Sequence, residues 1–220
     1  MALITYLTKA QRYQNIMTDE YETLPFDDLA LIDEYFSWKK ARYEAKYENG
    51  MYYCSTLEEW CGVPESKLAH KYVVNYYHEH FKERPMYHEM IGETEGYSIF
   101  TSLARLVKMN QLFDWLIKNV MNNEINKEHY EITKSHLEDL LKACAKVKEN
   151  IQIVNENDYL VDKKCAEKYF PLMKETGYFF GTNEYDHIYA RQVIEIVDIV
   201  KSILDETNFE TEAIYVNTIW

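Results

Sequence analysis

The chain has 220 residues, with 24 Lys and Arg against 37 Asp and Glu and a formal net charge of −13. A surface this acidic repels a polyanion instead of releasing its counterions, which excludes direct nucleic-acid binding through a general phosphate-contacting surface. It leaves a basic protein surface as the complementary partner, or solubility alone as the use of the charge.

The length suits one domain over residues 1–220, because no Pro/Gly/Ser linker or shift in composition divides it. Six glycines and four prolines favour helices over a sandwich or barrel. No apolar run approaches the roughly 20 residues that cross a membrane, and Met1-Ala-Leu-Ile-Thr-Tyr6 lacks the regions of a secretory leader. Cys54, Cys61, Cys144 and Cys165 form no CxxC pair, so a reducing cytoplasm is the expected location and no membrane partner is expected.

In chain order, Ala2 to Leu7 reads as a short strand rich in β-formers, and Tyr13 to Phe26 is ambiguous. A helix is predicted from Asp27 or Asp28 to about Glu48, with Leu29, Ile32, Phe36, Tyr43 and Tyr47 on one side and Leu31, Tyr35 and Trp38 widening the face. Asn49-Gly50 stops it. Thr56 and Glu59 have capping-box spacing for a short helix ended by Gly62. After Pro64 a helix carries Leu68, Tyr72, Val73, Tyr76 and Tyr77 towards Phe81, and Pro85 to Gly96 reads as a loop. Tyr97 to Val120 reads as the most regular helix, on Ile99, Leu103, Leu106, Val107, Phe113, Leu116, Ile117 and Val120. Asn110 falls inside that stripe and must be hydrogen-bonded there, either to fix register or at a cavity. Beyond the Asn122 to Lys127 loop, Tyr130 to Thr133 is a short strand, and Thr133 or Ser135 opens a helix with Leu137, Leu140, Leu141 and Cys144 that ends near Asn150. A short helix spans Val161 to Tyr169.

The most distinctive stretch follows, Gly177-Tyr-Phe-Phe-Gly-Thr-Asn-Glu-Tyr-Asp-His-Ile-Tyr189, where two glycines bracket an aromatic triplet. Both glycines can take positive φ, so Tyr178 to Phe180 can form an extended segment between two bends. Asn183 is the expected N-cap, accepting from the amide of Asp186, with the helix starting near Glu184. That helix continues on Val193, Ile196, Val197, Val200, Ile203 and Leu204. Thr211 to Trp220 is β-prone and a partner for the amino-terminal strand. The expected architecture is therefore α+β, predominantly α: a single helical domain with a small sheet formed by the N- and C-terminal strands.

Few residues carry candidate chemistry. His70, His78, His80 and His88 match neither His-Glu-x-x-His nor a finger pattern, and His78 and His80 diverge by about 200° on a helix, so no metal is assigned. No Walker loop, GxGxxG or Gly-x-Ser-x-Gly motif occurs, and no cofactor is implied. Cys61 beside Trp60 has glutamate neighbours that disfavour a thiolate, and it reads as inert. What remains is a possible ligand pocket of Asn110, Gln111, Tyr178, Phe180, Asp186 and His187, able to bind a small polar molecule or move a proton. The alternative is that Asp186 caps the helix while His187 lies at the surface.

The segments Gly177 to Asp186, Lys108-Met-Asn-Gln-Leu-Phe-Asp-Trp-Leu116, Tyr130 to Leu141 and the strand ending in Trp220 together resemble an uncharacterised family of hypothetical phage and prophage proteins. Its members begin with a pattern like Met-Gly-Leu-Asp-Met-Tyr-Leu, carry Lys-Ala-Asn-x-Ile-His-x-Trp-Phe on a helix, and have a Phe-Phe-Phe-Gly turn before the last helix. The resemblance covers residues 97–220 and, loosely, the first seven; residues 8–96 match weakly if at all and form the more variable part. Ala2 and Thr5 depart from the starting pattern, and Phe113 stands where the family has histidine, so a family site using that histidine is lost here. The resemblance implies a scaffold and a location in the host-cell cytoplasm, and it implies no particular activity. The expected role is an acidic accessory protein that binds, and inhibits, a host protein through a basic surface, with Tyr35, Trp38, Tyr43, Tyr76 and Tyr77 in the less shared half as contact residues. A small enzyme or ligand-binding protein using the Phe179 to His187 bend is the alternative.

Overall fold

Strand β10 (Glu212–Ile219) buries four consecutive residues, Ala213 to Val216, so both of its faces are covered. Such a strand belongs in the interior of a sheet, and β10 lies between β1 (Ile4–Gln11) and β7 (His129–Ile132), with β6 (Phe100–Val107) beyond β1. All four are antiparallel. In the register of β10 and β7, Ile214 faces Ile132 and Val216 faces Tyr130, while Asn217 Nδ2 lies 2.8 Å from His129 Nε2. Lys9 of β1 forms a 2.8 Å ion pair with Glu212.

The chain is described here by a computed structural model for residues 2–32, 34, 73, 76, 79–80, 88–90, 96–98, 100–125, 129–155, 158–173 and 180–219, with 88–90 and 96–98 described as strands only. Four helices are used below: α1 (Asn110–Asn119), α2 (Lys134–Lys148), α3 (Lys163–Tyr169) and α4 (His187–Glu206). None of the described helices is long and apolar enough to cross a membrane.

Chain contacts divide the protein into two compact units, residues 1–9 with 102–220 and residues 10–101. In the first, the apolar sides of α2 and α4 pack on each other and on the sheet. Leu137, Leu140, Cys144 and Val147 of α2 and Val193, Ile196, Val197, Val200 and Ile203 of α4 are buried at helical spacing, with Leu7, Ile132, Ile214 and Val216 supplied by strands. Each such side chain contributes about 1.5–3 kcal/mol on leaving water.

The described part of the second unit includes the short hairpin β2 (Tyr13–Gln14) and β3 (Tyr21–Glu22), and the paired strands β4 (His88–Met90) and β5 (Gly96–Ser98). A helical segment over residues 26–32 buries Leu29 and Ile32, and Phe26 stacks on Phe100 at 4.8 Å. Asn15 shapes the β2–β3 turn, its side chain accepting from the Met17 amide at 2.8 Å, and Asp19 takes φ 62°.

The helix starts follow local chemistry. Thr133 caps α2: its hydroxyl accepts from the His136 amide at 3.2 Å, and His136 Nδ1 accepts from the Thr133 amide at 3.3 Å. Histidine thus fills the place that glutamate usually holds in a capping box. Lys146 and Lys148 sit in the last turn, where the helix dipole favours cations. Asp162 caps α3 through the Lys164 and Cys165 amides.

Several expectations are corrected. The protein is a mixed fold of helices and strands, not a predominantly helical single domain. The strands near the two ends do lie side by side, but as the middle of a four-stranded antiparallel sheet, with three two-stranded sheets elsewhere among the described residues. The stretch Tyr97 to Val120 is not one helix: it starts in β5, continues as β6, and α1 begins only at Asn110. Lys108, at φ 58°, turns the chain between them, and pairing with β1 overrides the helix-like spacing of Leu103, Leu106 and Val107. Strand β4 lies where a loop was expected. The segment after Asn150 forms an unforeseen hairpin, β8 (Ile151–Asn155) and β9 (Asp158–Val161). The helices expected between Asp28 and Phe81 lie largely outside the described residues.

Cys144 is fully buried between the helices, and desolvation pushes its thiol pKa far up. Under native conditions iodoacetamide should therefore leave Cys144 unmodified even at mildly alkaline pH, with labelling appearing only as the chain is unfolded in guanidinium. Peptide mass mapping checks this; modification of Cys144 in the folded protein at the unfolded-state rate would contradict the packing.

Candidate functional site

The bend before α4 is built by one close backbone approach. Gly181, at φ 124°, bridges to Met109 in antiparallel fashion, and a Cβ at Gly181 would collide with the carbonyl oxygen of Lys108. Only glycine meets both conditions. Lys108 is itself fixed on its other side, its amide donating to Leu3 O at 2.8 Å.

Side chains close around this contact. Asn110, fully buried at the first turn of α1, donates from Nδ2 to Thr182 O at 2.7 Å, and its Oδ1 accepts a long 3.4 Å bond from the Met173 amide. Gln192 of α4 donates from Nε2 to Lys108 O at 3.1 Å, and its Oε1 accepts from Gln111 Nε2 at 2.9 Å. Gln111 Oε1 is buried with no protein partner. Phe113 and Phe180 approach to 6.4 Å between ring centroids.

Asp186, not Asn183, caps α4, and the helix begins at His187 instead of Glu184. Asp186 Oδ1 accepts from the Ile188 and Tyr189 amides at 3.0 Å each. The Thr182 hydroxyl accepts from the Glu184 amide and lies 3.2 Å from both Asp186 Oδ2 and Glu184 O, to one of which it donates at a time. Asn183 is exposed. One turn into α4, the buried Tyr189 donates from its hydroxyl to Phe170 O at 2.6 Å and meets Tyr185 edge-on at 5.0 Å. The Tyr185 hydroxyl accepts from the Leu172 amide at 3.1 Å. Burial pushes both phenol pKa values up, so each hydroxyl keeps its proton.

Of the six residues expected around a pocket, the structure brings Asn110, Phe180 and Asp186 to one junction through Thr182 and Phe113, and places Gln111 one residue further along α1 in contact with α4. His187 is exposed, and Tyr178 lies outside the described residues. Their polar groups bond mainly to each other and to backbone, which makes the junction a latch that seats α4. A void of about 10 Å³ elsewhere in this unit is lined by Leu7, Leu106, Ile132, Ile196 and Val200, an apolar space no larger than a water. No group of three or more His, Cys, Asp or Glu suited to a metal occurs among the described residues. Of the surface aromatics, Tyr76 is 53% exposed and stacks on His80 at 4.2 Å. Tyr35, Trp38, Tyr43 and Tyr77 lie outside the described residues, as do His70, His78 and Cys61. Sequence reasoning missed Thr182 and Gln192; a glutamine inside the apolar stripe of α4 was a signal of the same kind as Asn110.

No family model, curated protein or solved structure matches the chain. The latch therefore has to be tested on its own terms. Gly181→Ala should lower stability by about 3 kcal/mol, because the backbone conformation and the Lys108 carbonyl both reject a Cβ. Asn110→Ala should cost about 1–3 kcal/mol by removing a buried amide and leaving the part-buried Thr182 carbonyl without its side-chain donor. Urea unfolding measures both; a Gly181→Ala protein as stable as wild type would show that α4 is not seated this way.

Proposed function

We propose that this chain is a phage-encoded acidic accessory protein that works by binding a host protein with a basic surface, and so blocking it. The observation that carries this reading is the net charge of −13. Part of that charge is displayed on the outer side of α4, where Glu195, Asp198, Asp205 and Glu206 are exposed beside the exposed cations Arg191 and Lys201, and where Asp198 is paired with Lys148. A carboxylate-rich face with fixed helical spacing complements a cationic groove and speeds encounter with it. The polar groups nearest to an active-site constellation are engaged in the latch, which favours binding over catalysis.

The reading predicts that the tagged protein retains one basic host protein from nuclease-treated lysate, and that raising salt from about 0.1 to 0.5 M releases it, because the Debye length falls well below the span of the surface. Tyr76→Ala should weaken the complex roughly tenfold while leaving the melting temperature unchanged, as expected for an exposed aromatic contact. Retention of no basic protein, or retention insensitive to salt, would overturn the reading.

A further inference from the structure

In the second unit one turn holds apolar side chains out in solvent. Residues 13–22 read Tyr-Gln-Asn-Ile-Met-Thr-Asp-Glu-Tyr-Glu, so the turn between β2 and β3 carries Ile16 and Met17 at its tip and acids on its return, with no Lys or Arg. Its polar groups are engaged in the turn itself. The Asn15 amide donates to Glu20 O and the Asp19 amide to Asn15 O, both at 2.9 Å. The Asn15 side chain accepts from the Met17 amide and donates to Glu22 Oε1, each at 2.8 Å, and Gln14 Nε2 donates to Asp19 O at 2.9 Å. This stitching fixes the backbone and leaves Met17 85% and Ile16 48% exposed, with Tyr21 exposed beside them. A tether brings helical residues to the same place: the Ile16 amide donates to His80 O at 2.9 Å, His80 Nδ1 lies 2.7 Å from Tyr76 O, and the His80 ring stacks on that of Tyr76. Ile16, Met17 and Tyr76 are thereby gathered around His80, and Asp19, Glu20 and Glu79 are exposed at the rim.

We propose that this patch is where the host protein docks, and that it takes a cationic amphipathic segment: an apolar side chain of the partner seats on Met17 and Tyr76 while its Lys or Arg side chains reach Glu20 and Glu79. The proposal rests on the reading above and gives it a surface. Charge selects the occupant. An acid-rimmed apolar patch on a chain of net charge −13 repels a second copy and an anionic lipid surface alike, and attracts a segment that carries cations. The side chains suit such a partner. Methionine is unbranched and polarizable, and adapts to whatever apolar group meets it. The half-exposed Tyr76 ring can receive a guanidinium or the aliphatic stem of a lysine. Because the turn is already fixed by its own hydrogen bonds, docking orders little new backbone, which keeps the entropic cost of association low. Methionine and aromatic side chains surrounded by charge are also the pattern of an interface centre with a polar rim.

Methyl NMR of the full chain tests the proposal. Among the eight methionine methyl groups, isotope-labelled, that of Met17 is assigned with Met17→Ser. It should shift on titration with a synthetic peptide that alternates Arg and Lys with Leu and Trp, and stay in place with a peptide of equal charge that has Gly and Ser instead of Leu and Trp. By fluorescence anisotropy, Met17→Ser and Glu20→Lys should each raise the dissociation constant of the first peptide about tenfold at an unchanged melting temperature, since both side chains are exposed. A Met17 methyl that does not move while the first peptide binds, with both variants binding as wild type does, overturns the proposal and leaves the charge-driven reading standing. A Met17 shift that follows the protein's own concentration without peptide assigns the patch to a second copy and overturns it too. Failure of both peptides to bind at about 0.1 M salt overturns the proposal and the reading together.

Discussion

The close approach of Gly181 to Lys108 is the constraint on which the first unit depends. Two segments more than seventy residues apart meet there backbone to backbone, and each is in a conformation that ordinary residues avoid, φ 58° at Lys108 and φ 124° at Gly181. The pair fixes where β6 ends, because Lys108 turns the chain. It also fixes where α1 starts, because Asn110 must reach Thr182, and where α4 starts, because Asp186 follows Thr182 by four residues. The apolar stripe of α4 then falls onto α2 and the sheet. Glutamine 192 adds a second tether to the same Lys108 carbonyl from within that stripe. A buried polar network of this kind specifies one arrangement, since displaced partners would leave amides and carbonyls unpaired away from water.

That network also explains why the residues that most resembled a binding site in the sequence sit together without forming an obvious reaction centre. A buried asparagine, a carboxylate and a hydroxyl near aromatic rings are the raw material of acid–base chemistry, yet here their donors and acceptors are directed at backbone groups and at one another. The Tyr185 and Tyr189 hydroxyls are likewise committed to the Leu172 amide and the Phe170 carbonyl. Gln111 Oε1 is the acceptor left over, buried beside the amide pair it belongs to.

Elements whose stability is decided locally were legible in the sequence. The threonine before α2, the apolar spacing of α2 and α4 and the β-prone run of β10 each announce themselves within a few residues. The failures arose where long-range partners decide. Leu103, Leu106 and Val107 have helical spacing, and only pairing with β1, about a hundred residues away, makes them a strand. Asn183 and Asp186 are both competent caps; the position of Thr182, set by Asn110, selects Asp186. Ile151 to Val154 carries a plain β signal that was passed over between two helices. Of the site, the membership of Asn110, Phe180 and Asp186 in one junction was readable, and its role as a latch was not, because Lys108 and Gly181 reveal their relation only in three dimensions.

The position of β10 has a kinetic consequence. It is an interior strand of the sheet, flanked by β1 and β7, yet it follows both of them, and β6 as well, in chain order. During synthesis β1 and β7 wait without the strand that joins them, and the loop that brings β1 to β10 closes over some two hundred residues at a substantial entropic cost. The sheet is therefore left in two pieces until the end, the neighbours β1 and β6 on one side and β7 on the other, and it is completed only when β10 enters between them.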